Sequence, residues 1–366
     1  MGNNIIKINK WLYPVSWLYG AGVWLRNKMF DWGIYKERSF NLPIICIGNI
    51  TVGGTGKTPH TEYLIRLLQN RFQIAVLSRG YKRKSKGFII ATSETSVKDI
   101  GDEPYQMKQK FPNTHIAVDA DRCHGIELLC KENIASGTEV ILLDDAFQHR
   151  YVKAGLNILL IDYNRLICED VLLPAGRLRE PESGKYRAQI VIITKCPKDM
   201  SPMDFRVVNK QLELYAFQQL YFTTLNYGKL YPIFTKGNEY PIANINTNVH
   251  ILLISGIASP ERLEKDLSLF NKNIHSLTFN DHHNFTKTDI EKIKHAFEQL
   301  PEGKRMIITT EKDAARIKSN PYVNESLKAY IYVLPVEIAF LQDLENTFNQ
   351  NIIDYVRKNP RNSNLS

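Results

Sequence analysis

The sequence has no low-complexity tract and no repeat of fixed period, which argues against disorder and against a solenoid. It has no Cys-x-x-Cys pair either. Its five cysteines, Cys46, Cys123, Cys130, Cys168 and Cys196, are scattered and odd in number, so a disulfide scaffold or a zinc site is disfavoured and a reducing cytoplasm fits. A bilayer-crossing helix needs roughly 20 apolar residues. The N-terminal stretch Trp11–Leu25 offers 15, and Pro14 interrupts it. Acidic residues are the scarcer charge, 38 against 47 Lys and Arg, and the net charge of +9 favours polyanionic partners: nucleotide, nucleic acid, anionic lipid or a phosphorylated substrate. The remaining composition, 43% hydrophobic and 23% charged over 366 residues, is that of a folded chain long enough for two domains.

The N-terminal stretch interleaves Trp11, Trp17 and Trp24 with Leu and Tyr, flanked by Lys7, Lys10, Arg26 and Lys28. Three readings compete: a signal peptide, a helix packed on the chain's own core, and an interfacial amphipathic segment resting on an anionic leaflet. The Trp and cation pattern matches the last best. From residue 44 to 195, β-branched runs alternate with helical patterns: IICIGNI, QIAVLSRG, GFIIAT, THIAVDA, EVILLDD, LNILLID and AQIVIITK. These read as buried strands of a doubly wound α/β sheet of the P-loop NTPase type. The alternation around Asn226–Gly228 suggests a two-stranded ribbon. The expected organisation is therefore a membrane-associating segment at 1–28, a P-loop kinase domain at 29–218, a ribbon linker at 219–234 and a smaller α/β domain at 235–366.

IICIGNI runs into Thr51-Val52-Gly53-Gly54-Thr55-Gly56-Lys57-Thr58 and then into a helical pattern, the strand–loop–helix context that a phosphate-binding loop requires. Gly53, Gly54, Thr55 and Gly56 would turn backbone N–H groups onto the phosphates, Lys57 would reach the β- and γ-phosphates, and Thr58 would ligate Mg²⁺. Strict spacing wants Gly where Thr51 stands. EVILLDD ends in Asp144 and Asp145, the form of a strand-end acid pair holding Mg²⁺. The nearest candidate for a guanine-recognition element, Thr194-Lys195-Cys196-Pro197, has Pro in place of Asp, so GTP specificity is not supported. A kinase also needs a base near the γ-phosphate. Asp102 in Gly101-Asp102-Glu103-Pro104 and Asp281-His282-His283 are candidates, although Asp102 alone reads first as a helix N-cap and sequence cannot bring the two clusters together. Basic residues Lys82, Arg83, Lys84, Lys86, Arg122, Arg150, Arg177 and Arg179 could hold anionic groups of an acceptor or the transferring phosphoryl.

Taken in order, GNITVGGTGKTP, SRGYKRK, GDEPYQM, DADR, ILLDDAFQHR, LLPAGRLREP, FNDHHNF and TTEKDAAR resemble the signature stretches of the tetraacyldisaccharide 4′-kinase (lipid A 4′-kinase) family. The resemblance runs to about Arg316; the tail from Ile317 to Ser366 carries no motif. It implies a peripheral enzyme on the cytoplasmic face of the bacterial inner membrane, using ATP and Mg²⁺ to phosphorylate the 4′-hydroxyl of a tetraacylated glucosamine disaccharide 1-phosphate. It further implies that Asp102 and His282 pair across the interdomain cleft as base, with Asp281 orienting the imidazole. By the same resemblance, Asp144 and Asp145 bind Mg²⁺, Glu180 is a further metal candidate, and Arg122 and Arg179 lie near the phosphates. A lipid A precursor in the leaflet, an anionic membrane surface, no nucleic acid and a monomeric state are the expected partner set. A kinase or ATPase acting on a soluble phosphorylated metabolite is the alternative. Ala146 stands where the family's run has Gly, which raises the question of its backbone geometry.

Overall fold

The computed structural model describes residues 8–131, 133–235, 237, 239–257, 260–281 and 283–359. They form two compact units: Met1–Leu225 with Ile338–Ser366, and Asn226–Glu337.

The first unit is built on a nine-stranded sheet. Its order is Val336–Phe340, Gln219–Tyr227, Ile190–Thr194, Leu156–Asp162, Ile44–Gly48, Val140–Asp144, Ile74–Ser78, His115–Val118 and Ile89–Ile90. From Gln219–Tyr227 to His115–Val118 every pairing is parallel, and Ile89–Ile90 closes the edge antiparallel. Each run of apolar residues read as a strand in the sequence is one. Their near-continuous apolar composition follows from the fold, because helices cover both faces and successive side chains enter different cores. Ile44, Cys46, Ile141 and Leu143 pack in one core with the helix Arg122–Leu129, whereas Ile45, Ile47, Leu142 and Ile158 pack in the other. That second core also takes Leu64, Ile65 and Leu68 from the helix Lys57–Leu68, Met107 from Asp102–Lys110, and Phe348, Ile352 and Val356 from Glu345–Arg357. Ile44–Gly48 lies between strands reached by crossovers on opposite sides, so the loop after it opens at the switch point of the sheet, where open α/β folds bind ligands.

Two expectations need correction. No ribbon forms within 219–234: Gln219–Tyr227 joins the nine-stranded sheet, and the following strand Lys229–Pro232 joins the other sheet. Besides Ile190–Thr194, Gln219–Tyr227 neighbours the distant strand Val336–Phe340, with Leu341 N donating to Phe222 O and Gly228 N to Pro335 O. Nor does the second domain extend to the C-terminus. The chain returns to the first unit at Ile338, because the apolar stripe of Glu345–Arg357 belongs to that unit's core and Tyr355 Oη hydrogen-bonds Ile44 O at 3.0 Å.

The second unit has a six-stranded sheet ordered Tyr240–Pro241, Lys229–Pro232, Ile331–Leu334, Arg305–Thr310, His250–Ser255 and Ile274–Thr278. Its last four strands are parallel. Ile251, Leu253 and Ile308 enter one core, Leu252, Ile254 and Ile307 the other.

The N-terminal stretch is the helix Tyr13–Asp31, 19 residues long. Pro14 does not interrupt it. It sits in the first turn, where its missing N–H costs nothing. No helix among the described residues is long and apolar enough to cross a membrane. The inward face is held mostly by hydrogen bonds: Ser16 Oγ bridges Leu172 O and Ala175 N, Tyr19 Oη donates to Arg179 O, and Arg26 donates to Gln148 O, while Phe30 at the C-terminal end is buried against Tyr35 and Tyr151. The outward face is apolar, with Trp17 73% and Leu18 76% exposed beside exposed Val15, Trp24 and Leu25, and Trp11 in the turn Lys10–Leu12 just before it is 93% exposed. Ahead of Phe30, this inverts the usual arrangement of a surface helix.

Candidate active site

The strand Ile44–Gly48 delivers the chain to a loop whose shape is set by close approaches. Gly48 is required where it stands, since a Cβ there would lie 2.6 Å from Phe147 Cβ. Thr51 occupies the position at which strict spacing calls for glycine, and the structure explains it: Thr51 is bridged to Leu178, flanked by Val52 N donating to Arg177 O and Arg179 N to Ile50 O. That short β-bridge needs extended backbone, which any residue adopts. The glycines do their conformational duty further on, with φ of +117° at Gly53 and +82° at Gly56. Gly56 is the N-cap of Lys57–Leu68 and brings no side chain to satisfy the first N–H groups of the helix, which leaves them for an anion. Thr55 is clamped by Asn49 Nδ2 on its hydroxyl and by Thr194 Oγ1 on its carbonyl. Gly54 lies in the same loop, and Thr58 is buried in the first helical turn.

Opposite the loop, the strand Val140–Asp144 ends in a fully buried Asp144. Its Oδ1 accepts from Thr61 Oγ1 at 3.0 Å, while its Oδ2 is buried with no partner. Burial, then the neighbouring Glu103 and Asp145, push the carboxyl well above the usual range; Lys57 and Thr61 pull it back. Asp145 stands 3.7 Å from Lys57 Nζ and 3.3 Å from Arg179 Nη1. The two acids thus differ: Asp145 is paired with cations, and Asp144 keeps a desolvated oxygen that a hard divalent cation would satisfy, so this donor set fits Mg²⁺. The left-handed residue in this turn is Asp145, at φ +48°, and Ala146 is not among the residues of positive φ, which is why alanine is accommodated where glycine was expected.

Glu180, the further metal candidate, is ion-paired in this structure. Arg187 donates to both of its oxygens, at 2.8 and 3.0 Å, and Gln148 Nε2 donates to one at 2.9 Å. Gln148 also donates to Asn49 O, so Glu180 braces the base of the loop. Arg122 is 2% exposed, with Nη1 on the carbonyls of Asp119 and Ala120 and its Nε buried without a partner. Burial lowers its pKa, the nearby Arg79 lowers it further, and Asp144 and Asp145 act the other way. Two guanidiniums close together, one of them buried and incompletely bonded, call for an anion. Among the described residues, one other set of metal-type ligand atoms, from Asp121, Cys123 and His149, lies within 4.8 Å of one another. His149 is held down to about 4 by burial first and by Arg122, Arg26 and Arg79 with it, and this positive surround opposes a cation there.

Asp102 opens the helix Asp102–Lys110 as its first residue and not as its N-cap, which is Gly101 at φ +89°. A Cβ at Gly101 would come 2.7 Å from Tyr81 O, so the GDEP turn is fitted against the SRGY turn. Asp281 lies in the second unit, in an exposed turn, and His282 is outside the described residues. His283 is structural: its Nε2 meets Asp289 at 2.9 Å and its ring stacks on Phe279. The structure thus brings Gly53, Gly54, Thr55, Gly56, Lys57, Thr58, Asp144, Asp145, Arg122 and Arg179 together in the first unit. The sequence reading missed Thr61, Gln148, Arg187 and Arg79 as contributors.

A family model described as tetraacyldisaccharide-1-P 4′-kinase matches residues 8–354. The chain belongs to this family. Its relatives include the tetraacyldisaccharide 4′-kinases of Phocaeicola vulgatus, 70% identical over the whole of both chains, and of Bacteroides fragilis, 58% identical over all of this chain and 98% of that one. The crystal structure of the "apo" form of LpxK from Aquifex aeolicus in complex with ATP is similar at a TM-score of 0.72 and 28% identity, covering 94% of this chain and 98% of that one. Membership in the kinase family agrees with the glycine loop, the uncapped helix and the strand-end acids.

Proposed function

We propose that this family member transfers the γ-phosphate of ATP to the 4′-hydroxyl of a tetraacylated glucosamine disaccharide 1-phosphate, as a tetraacyldisaccharide 4′-kinase. The observation that carries the reading is the buried, unpartnered Oδ2 of Asp144 facing a phosphate-binding helix that has no N-cap side chain. In this reading the loop 53–58 holds the triphosphate by its N–H groups and Lys57. Thr58, Asp144 and Asp145 are the residues that would hold Mg²⁺, which supplies neutralisation of the phosphate oxygens during transfer. Arg179 holds Asp145 in place until the nucleotide arrives. Arg122 and Arg79 receive an anion, either the transferring phosphoryl or the acceptor's own phosphate. Asp102 takes the proton of the acceptor hydroxyl; roles for Asp281 and His282 rest on the family resemblance alone. Asp102 need not be a strong base, because phosphoryl transfer rests mainly on positioning and charge neutralisation.

The inverted N-terminal helix supports a peripheral membrane location at the cytoplasmic face of the bacterial inner membrane. Its outward Trp17, Leu18 and Trp24, with Trp11 in the turn before it, gain by entering the headgroup boundary, while Ser16 and Tyr19 tie its other face to the body that carries the loop. A lipid acceptor stays in its leaflet, so this docking brings the catalyst to it. The protein acts as a monomer with no nucleic-acid partner. Labelled ATP offered with a panel of acceptors tests the reading. Label on the disaccharide lipid alone is expected; label on a soluble phosphorylated metabolite would favour the alternative, and label on none would sink the assignment.

A further inference from the structure

The helix Lys57–Leu68 carries three polar side chains in succession, His60, Thr61 and Glu62, and all three are buried. Burying polar groups is costly unless each finds a partner, so such a run inside a packed face needs a reason. Successive helical residues point about 100° apart and therefore fan outward. His60 reaches Gly56 O at 2.7 Å and Thr223 Oγ1 at 3.0 Å, and Thr61 reaches Asp144. On the other flank Glu62 accepts from Gln106 Nε2 at 2.8 Å and from Lys110 Nζ at 2.6 Å. Gln106 and Lys110 lie one and two turns beyond Asp102 on one stripe of the helix Asp102–Lys110.

We propose that Glu62 is a positioning residue for phosphoryl transfer, one that fixes the rotation and register of the Asp102 helix against the phosphate-binding helix. The proposal rests on the kinase reading above. Its basis is that Glu62 is a poor device for stability. The carboxylate is 1% exposed and Lys110 23% exposed, and desolvation of such a pair offsets most of its attraction, so an apolar pair of similar size would hold the helices together as well. Apolar contacts of the kind Met107 makes in the same core tolerate sliding and rotation. One carboxylate gripped by donors a turn apart does not. The start of the Asp102 helix is fixed at Gly101 by its close fit to Tyr81, and Glu62 fixes its middle, so the two constraints together aim Asp102. Catalytic geometry is sensitive on this scale, since displacement by about 1 Å can cost about 100-fold in rate.

The test compares wild type, E62A, E62Q and the swapped pair E62Q/Q106E for label transfer to the disaccharide lipid, with nucleotide Kd and thermal unfolding on the same samples. The expected result is a fall of about 10- to 100-fold in kcat for E62A with nucleotide Kd and KM for ATP changed by less than about 2-fold, and recovery of turnover in the swap, which restores a carboxylate–amide pair. E62Q, which keeps the side-chain volume, carries the same comparison if E62A does not fold. Unchanged turnover per folded molecule in E62A and E62Q, with only the melting temperature lowered, would overturn the proposal and leave the kinase reading intact. Failure of wild type to label any acceptor would sink both.

Discussion

Acid should weaken the fold through His60. Its imidazole is buried between Gly56 O and Thr223 Oγ1, and burial holds its pKa down to about 4, with the Gly56 bond working against that shift. An unfolded histidine titrates near 6.5. Below about pH 6.5 the unfolded chain therefore binds a proton that the folded site refuses until about pH 4. The stability contributed by the neutral imidazole is fully present above 6.5 and is lost as pH falls towards 4. At about 1.4 kcal/mol per pKa unit, the loss is about 2 kcal/mol by about pH 5 and about 3 kcal/mol by about pH 4. His149, also held near 4, adds to the wild-type slope, so the comparison is with H60Q, whose amide keeps hydrogen-bonding capacity without titrating. Urea unfolding followed by circular dichroism at about pH 7.5 and about pH 5 should give a stability gap between wild type and H60Q that narrows by about 2 kcal/mol. A gap unchanged within about 0.5 kcal/mol would refute the reasoning, because His60 would then titrate alike in both states.

Three further outcomes are expected. Thr61→Val removes the donor to Asp144 Oδ1 at constant volume and leaves a buried acceptor unpaired, at about 1–3 kcal/mol; activity titrated with Mg²⁺ should show a raised metal requirement, and an unchanged one would count against Asp144 as a ligand. Glu180→Gln should lower the melting temperature by weakening the Arg187 and Gln148 brace while leaving the Mg²⁺ requirement near wild type; a large rise in that requirement would restore Glu180 to the metal set. Trp17→Ser with Leu18→Ser should abolish flotation with anionic vesicles without changing thermal stability, since both side chains are exposed; retained flotation would put the membrane contact elsewhere.

What the sequence revealed and what it hid divide along physical lines. Runs such as EVILLDD and LNILLID are legible because a strand covered on both faces must be apolar throughout, and the loop 53–58 is legible because its backbone demands glycines in a fixed context. The return of Ile338–Ser366 to the first unit was hidden, since an edge strand and one amphipathic helix do not state which sheet they join. The roles of Thr61, Glu62 and Gln148 were hidden too, because a polar residue's burial is decided by partners distant in sequence. A usable sign did exist: three polar residues follow GKTP where a core-facing helix would be expected to turn apolar. The docking of the N-terminal helix by Ser16 and Tyr19, with Trp outward, is likewise a tertiary fact, although the Trp content pointed to an interface.

The central claim is the position to which phosphate is transferred. Phosphorus–proton correlation NMR of the product formed from ATP, Mg²⁺ and the tetraacylated disaccharide 1-phosphate in mixed micelles tests it most directly. The account predicts a new phosphomonoester coupled to the proton at the 4′ carbon, absent when Lys57 is replaced by Ala. A phosphate on any other oxygen, or ATP consumed with no phosphorylated lipid, would contradict it.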